Sequence, residues 1–170
     1  KTREENYERI GLPDNWIFEV EKEKNIFPDF DKIIPHPRCD EYNDLPSQEA
    51  VRDSQNWWLT WNRKNWGTKW SGYCYESENY GTYTFETAWN GVPDLMTELS
   101  KQNPEIEFEY TYADEDTGSN VGKFTFKNGE ILTQFQPESG TSEAYDIAFE
   151  LRPDRKENYS FVNGEYVYSY

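Results

Sequence analysis

Trp57-Trp58-Leu59-Thr60-Trp61-Asn62-Arg63-Lys64-Asn65-Trp66-Gly67-Thr68-Lys69-Trp70 decides the reading of this chain. The stretch holds five of the seven tryptophans, three positive charges and no negative one, in a protein of formal net charge −16. Ala50, Val51, Trp57, Trp58 and Trp61 recur at roughly helical spacing. That spacing predicts a helix that starts at Ser47 as N-cap, carries Glu49 in its first turn and ends before Gly67. Gly67 lets the backbone turn from helix into strand. On a structural reading Trp57, Trp61, Trp66 and Trp70 are core, and Lys69 lies on the face opposite Trp70 by strand alternation. On a binding reading Trp58, Trp66 or Trp89 stacks a base, sugar or peptide ring beside Arg63 and Lys69. The sequence leaves both open.

Alternation extends outward from this segment. Lys69 to Glu76 alternates around Trp70, Tyr73 and Tyr75, and Tyr80 to Trp89 alternates through Tyr83, Phe85 and Thr87. An antiparallel pair joined near Ser77-Glu78-Asn79 is expected. Upstream, Lys1 to Arg9 reads as a charged helix, Gly11-Leu12-Pro13-Asp14 as a turn, and Trp16 to Val20 and Phe27 to Ile34 as strands. Pro35 ends the second, and a long loop runs to Pro46. Downstream, Pro93 opens a helix with Leu95, Met96 and Leu99 on its apolar face, and Asn103-Pro104 stops it. Ile106, Phe108, Tyr110 and Tyr112 alternate with Glu107, Glu109 and Thr111, the pattern of a half-buried strand. After a turn from Asp114 to Asn120 the chain returns through Phe124 and Phe126. Asn128-Gly129 then predicts a tight hairpin into Ile131, Leu132 and Phe135. Ser142 to Leu151 has helical spacing, and Tyr159 to Tyr170 reads as a last hairpin around Asn163-Gly164. Helices mixed with antiparallel strands predict an α+β fold, with the helices packed on one sheet face.

Asn65-Trp66-Gly67-Thr68-Lys69-Trp70, preceded by Trp61 and followed by Thr87-Ala88-Trp89 and a helix with Leu99-Ser100, resembles the YubB-type ferredoxin-like family. Phe30-Asp31-Lys32-Ile33-Ile34-Pro35-His36-Pro37 and Tyr110-Thr111-Tyr112-Ala113 with Gly122 are similar to that family too. The resemblance covers about residues 26–150. It implies a ferredoxin-like antiparallel sheet and a small protein of a bacteriophage, plasmid or conjugative element. It brings no catalytic residues. The family's opening strand around Pro-Asn-Trp is not visible at Lys1, and the hairpin after Pro153 lies outside its pattern. The expected organisation is one domain over 1–170, with an N-terminal segment at 1–25 and a C-terminal hairpin at 153–170.

Composition bounds function. Hydrophobic residues make up 35% of the chain, below the usual ~45–50%. Aromatics at 18% compensate, since each Tyr, Phe or Trp buries ~150–250 Å². Thirty-three acidic side chains against seventeen basic ones repel phosphate backbones, so direct nucleic-acid binding is not expected. Such a surface either keeps the protein soluble or imitates nucleic acid toward a host protein with a basic surface. Cys39 and Cys74 are too few for a disulfide scaffold and fit a reducing, cytoplasmic setting. With His36, read as an exposed loop residue in Pro35-His36-Pro37, they make no convincing zinc site. No apolar stretch approaches the ~20 residues that cross a bilayer, and no signal peptide is visible.

Chemistry offers little. There is no Gly-x-Ser-x-Gly, no phosphate-cradling glycine loop and no dinucleotide fingerprint. Asp114-Glu115-Asp116 lacks the ligand order and closing glutamate of an EF-hand loop, so it reads as an acidic hairpin tip. Glu105, Glu107 and Glu109 line one face of a strand, either solvated or part of a negative binding face. No enzyme, metal or cofactor is expected. The leading expectation is an acidic accessory protein that binds a host protein. The alternative is a small-ligand or nucleotide module built on Trp58, Arg63, Trp66, Lys69 and Trp89.

Overall fold

The computed structural model describes residues 17–20, 25–37, 47–79 and 81–169. Two compact units divide the chain, Lys1–Ala88 and Trp89–Tyr170. The expected helix at Lys1 to Arg9, the turn at Gly11 to Asp14, Trp16 and the loop from Arg38 to Pro46, with Cys39, lie outside the described residues.

In the first unit β1 (Ile17–Val20) pairs antiparallel with β2 (Asn25–Pro28). The strand expected to run to Ile34 stops at Pro28, and α1 (Phe30–Ile33) follows. Asp29 explains the switch: its carboxylate accepts from the Asp31 N–H at 3.1 Å and caps the turn. Phe30 and Ile33 are three apart, a helical spacing, and both are buried. The single helix expected from Ser47 is two, α2 (Gln48–Asp53) and α3 (Trp58–Asn65). Ser54 breaks it, its hydroxyl accepting from the Asn56 N–H and its carbonyl from the Trp57 N–H. A serine offers the backbone this non-helical alternative. β3 (Tyr73–Asn79) then pairs with β4 (Thr82–Glu86), Tyr73 opposite Glu86 and Asn79 opposite Thr82. Ser77-Glu78-Asn79 therefore belong to the strand, not to the turn. Lys69 to Gly72 is irregular backbone ahead of it.

The second unit opens with α4 (Pro93–Gln102), Pro93 in its first turn. β5 (Glu107–Tyr112), β6 (Gly122–Lys127) and β7 (Glu130–Phe135) form an antiparallel sheet in the order β5-β6-β7, with β6 central. The Asn128-Gly129 hairpin forms as expected, both residues with positive φ. Phe108 faces Phe126, and Tyr110 faces Phe124, across β5 and β6. Phe124 and Phe126 are buried, and the ring contacts run on from Tyr112 to Phe124 to Phe126. Leu95, Met96, Leu99 and Ser100 are the buried side of α4, which packs on all three strands. Val92 donates its N–H to the Tyr110 hydroxyl at 3.0 Å, and Gly129 donates to Ser100 Oγ at 3.0 Å.

α5 (Ser142–Leu151) starts at Thr141, whose hydroxyl accepts from the Ala144 N–H. Its Ala144, Ile147 and Ala148 pack with Val121 and Ala113, at the end of the sheet where β5 leaves and β6 begins. Lys123, which alternates to the face opposite Phe124, pairs with Glu150 of α5. The two helices thus meet different side chains of the sheet: α4 the aromatic face, α5 the Lys123 side. A 3-10 turn over Pro153–Asn158 leads into β8 (Tyr159–Val162) and β9 (Glu165–Tyr168), the expected C-terminal hairpin. Tyr159 and Tyr166 of the hairpin pack on Tyr145 and Phe149 of α5, with ring centroids 5.1–5.5 Å apart. Helices and antiparallel strands are mixed along the chain: the fold is α+β.

Candidate functional site

The tryptophan segment turns its side chains to several destinations. Trp66 is buried and donates its indole N–H to the Ile34 carbonyl at 2.8 Å. Its ring meets Phe30 and Trp61 edge-on, and Phe30 meets Phe85. Trp66 is therefore the centre of an aromatic core, as the structural reading expected. Asn62, also buried, donates from Nδ2 to the Lys69 carbonyl at 2.9 Å and ties α3 to the chain beyond Gly67. Gly67 holds φ +77°, the backbone value that the turn requires.

Other members face out. Trp58 is exposed at the start of α3, its ring 5.9 Å from that of Trp57. Arg63 is exposed on the same helix five positions later, which places it roughly 140° around the axis from Trp58. Trp70, expected in the core, is 41% exposed. Lys69, expected on the opposite side, holds its ammonium 4.7 Å from the Trp70 ring centroid. Irregular backbone lets neighbouring side chains converge where a strand would separate them. Trp89 belongs to the second unit, with positive φ, an exposed ring and a carbonyl that accepts from Asn120 Nδ2. Of the five proposed ligand residues, then, one is core and two are exposed at separate positions on α3. Lys69 covers a tryptophan outside the set, and Trp89 stands in the other unit.

His36 is not the exposed loop residue expected. It is half-buried, its ring 4.6 Å from Trp61, and its backbone N–H bonds Asp31 Oδ1 at 2.8 Å. Its Nε2 is buried without a hydrogen-bond partner among the described residues. Burial also pushes the Tyr75 hydroxyl, in the same aromatic neighbourhood, up to about 12, against a lowering hydrogen bond from Ser71.

The net negative charge is larger in the second unit, where sixteen Asp and Glu stand against six Lys and Arg, than in the first, where seventeen stand against eleven. Glu107 and Glu109 are exposed on one face of β5, Glu107 opposite Lys127 and Glu109 opposite Thr125. Glu105 precedes the strand, exposed in the turn after α4, and so does not extend their row. Asp114 is half-buried and accepts from the Asp116 N–H at 3.0 Å; Glu115 and Asp116 are exposed. This loop is held by two arginines that the sequence reading missed. Arg152 donates to the Asp114 carbonyl at 2.5 Å and to Ala113, and Arg155 donates to the Glu115 carbonyl at 2.6 Å and to Thr117 Oγ1. The guanidinium groups grip main-chain oxygens, so the carboxylates of Glu115 and Asp116 are left facing solvent.

A further acidic group went unread. Glu143, Asp146 and Glu150 fall at i, i+3 and i+7 on α5, one face of a helix. With Lys123, Phe135 and Ile147 they line a shallow groove of about 280 Å³. Asp146 accepts from the exposed Tyr166 hydroxyl at 2.8 Å, a bond that raises the tyrosine pKa. Among the described residues no group of three or more His, Cys, Asp and Glu could hold a metal ion. No helix among them is long and apolar enough to cross a membrane.

Mixed helices and antiparallel sheets make this an α+β protein. A family model described as the ferredoxin-like domain in Api92-like protein matches residues 65–152. That span is more than half of the chain, which belongs to this family. No curated protein and no solved structure matched the chain. The match ends at Arg152, ahead of the C-terminal hairpin.

Proposed function

We propose that the protein is a non-catalytic accessory protein of a phage or plasmid, of YubB type, which works in the bacterial cytoplasm by binding a host protein with a basic surface. One observation carries this reading: the excess of carboxylates in the second unit is presented to solvent. Glu105, Glu107, Glu109, Glu115 and Asp116 are all exposed, and the arginines beside their loop engage backbone oxygens. Exposed carboxylates in excess create a negative field that steers a basic partner and speeds its association. The same field offers a nucleic-acid-handling or defence protein an imitation of a phosphate backbone. The Trp58, Arg63, Trp66, Lys69 and Trp89 set has less support, since Trp66 is buried in the aromatic core and Lys69 lies over Trp70.

The test is displacement. A host nucleic-acid-handling protein bound to labelled DNA is titrated with the chain at low salt, with an electrophoretic shift as readout. Release of the DNA by the wild type, and none by a variant with those carboxylates neutralised, is the expected result. A DNA complex unmoved by both across a panel of such proteins rejects mimicry.

A further inference from the structure

The outer edge of β7 is open and apolar. It ends the β5-β6-β7 sheet and bonds no other strand among the described residues. All six of its residues are exposed, including Ile131 at 46%, Leu132 at 50% and Phe135 at 51%. The strand carries no lysine, no proline and a single charge, Glu130. Natural sheets usually blunt an open edge with charges, prolines or a covering element. A bulge opposite Phe126 is the one device here, and it falls between Ile131 and Thr133. Beyond it Phe135 lies opposite Lys123, on the side of the sheet that meets α5, and forms part of the groove with Ile147. The rim of that groove is Glu143, Asp146 and Glu150. Its one cation, Lys123, is paired with Glu150.

We infer that β7 is a docking edge for an extended basic segment of a partner protein. The segment adds as a fourth strand, and its alternate lysine or arginine side chains enter the groove of α5. An added strand gains main-chain hydrogen bonds from the edge and specificity from the pockets under alternate side chains. The aliphatic stem of a lysine or arginine lies on Phe135 and Ile147, while its charged head reaches the carboxylates. Charge selects the occupant: three carboxylates against one lysine leave the groove net negative above an apolar floor, which favours a cation with a hydrophobic stem over a neutral or acidic strand. The inference rests on the acidic-partner reading and names where on the surface that partner docks.

The probe is an acetylated, amidated eight-residue peptide of alternating lysine and valine, titrated into the full chain at low salt. Amide chemical shifts are read by NMR. Changes confined to Glu130–Phe135 and Glu143–Glu150 are expected, with binding weakened about tenfold or more in the variant Glu143→Gln, Asp146→Asn, Glu150→Gln. A second variant, Phe135→Thr, keeps a strand-forming residue and removes the apolar floor; it too should weaken binding. Changes centred on Glu105 to Asp116 would overturn the β7 site and leave the acidic-partner reading standing. So would concentration-dependent self-association through β7 without peptide, since the occupant would then be a second copy. Absence of binding by the peptide overturns the inference, while displacement of DNA from a host protein tests the broader reading separately.

Discussion

Thr68 and Ala88 are joined in both directions by a single hydroxyl. Thr68 Oγ1 donates to the Ala88 carbonyl and accepts from the Ala88 N–H, each at 3.1 Å, with Thr68 1% exposed. A side chain here does the work of a strand partner and fixes the turn after Gly67 to the end of β4. Thr68→Val keeps the shape and leaves both groups of Ala88 without a partner. Each buried group so orphaned costs about 1–3 kcal/mol. Chemical denaturation should show the loss, and Thr68→Ser should recover most of it. A valine variant as stable as the wild type would show that the hydroxyl is not the tie.

Gly91 is a position of close approach. A Cβ built there would stand 2.5 Å from the Tyr112 ring, which is stacked against Tyr110 and Phe124 and cannot swing aside without disturbing both. Gly91→Ala should destabilise by about 1–3 kcal/mol through overpacking. Thermal denaturation checks it.

Ser100 is buried in α4, donates to Thr97 O at 2.8 Å and accepts from Gly129 N at 3.0 Å. It therefore pins the Asn128-Gly129 hairpin to the helix. Ser100→Ala should cost about 1–3 kcal/mol and speed amide exchange at Gly129 before it affects α5.

The Arg152 and Arg155 grips predict an ordered acidic loop. Replacing both by methionine removes hydrogen bonds to the carbonyls of Ala113, Asp114 and Glu115 while keeping apolar bulk. Amide exchange over residues 114–117 should accelerate well beyond that of β5. Unchanged exchange would show that the loop orders itself.

Alkaline pH should weaken the fold. Burial raises the Tyr75 hydroxyl from 10.0 to about 12, and burial raises the Tyr110 hydroxyl as well, against the lowering bond from Val92. A tyrosine whose folded pKa is raised contributes stability that is present below the unfolded value and lost as pH climbs toward the folded one. Stability should therefore fall from about pH 10 to about pH 12. Denaturant midpoints across that window measure it, and Tyr75→Phe should flatten the decline.

Where local chemistry and tertiary burial agree, the sequence shows the structure. Pro93 and the Leu95, Met96 and Leu99 stripe mark α4, strict alternation marks β5, and Asn128-Gly129 marks its hairpin. Where a short apolar run serves either period, it misleads. Phe30 and Ile33 fit a strand until the Asp29 cap is counted. Trp70 looks like core because alternation assumes a strand that begins only at Tyr73. The site follows the same division. Exposed glutamates on β5 were legible from alternation, whereas the arginine grips span about forty residues and carry no local pattern. The i, i+3, i+7 carboxylates of α5 were legible in spacing, but the groove needs Lys123 and Phe135 from two strands.

The most direct test of the acidic-partner account is capture from bacterial lysate at low and moderate salt, with eluted proteins identified by mass spectrometry. The baits are the wild type and a variant carrying Glu105→Gln, Glu107→Gln, Glu109→Gln, Asp114→Asn, Glu115→Gln and Asp116→Asn. The account predicts a basic nucleic-acid-handling protein on the wild type at low salt, weaker at moderate salt, and absent from the variant. The same proteins on both baits, or none on either, would contradict it.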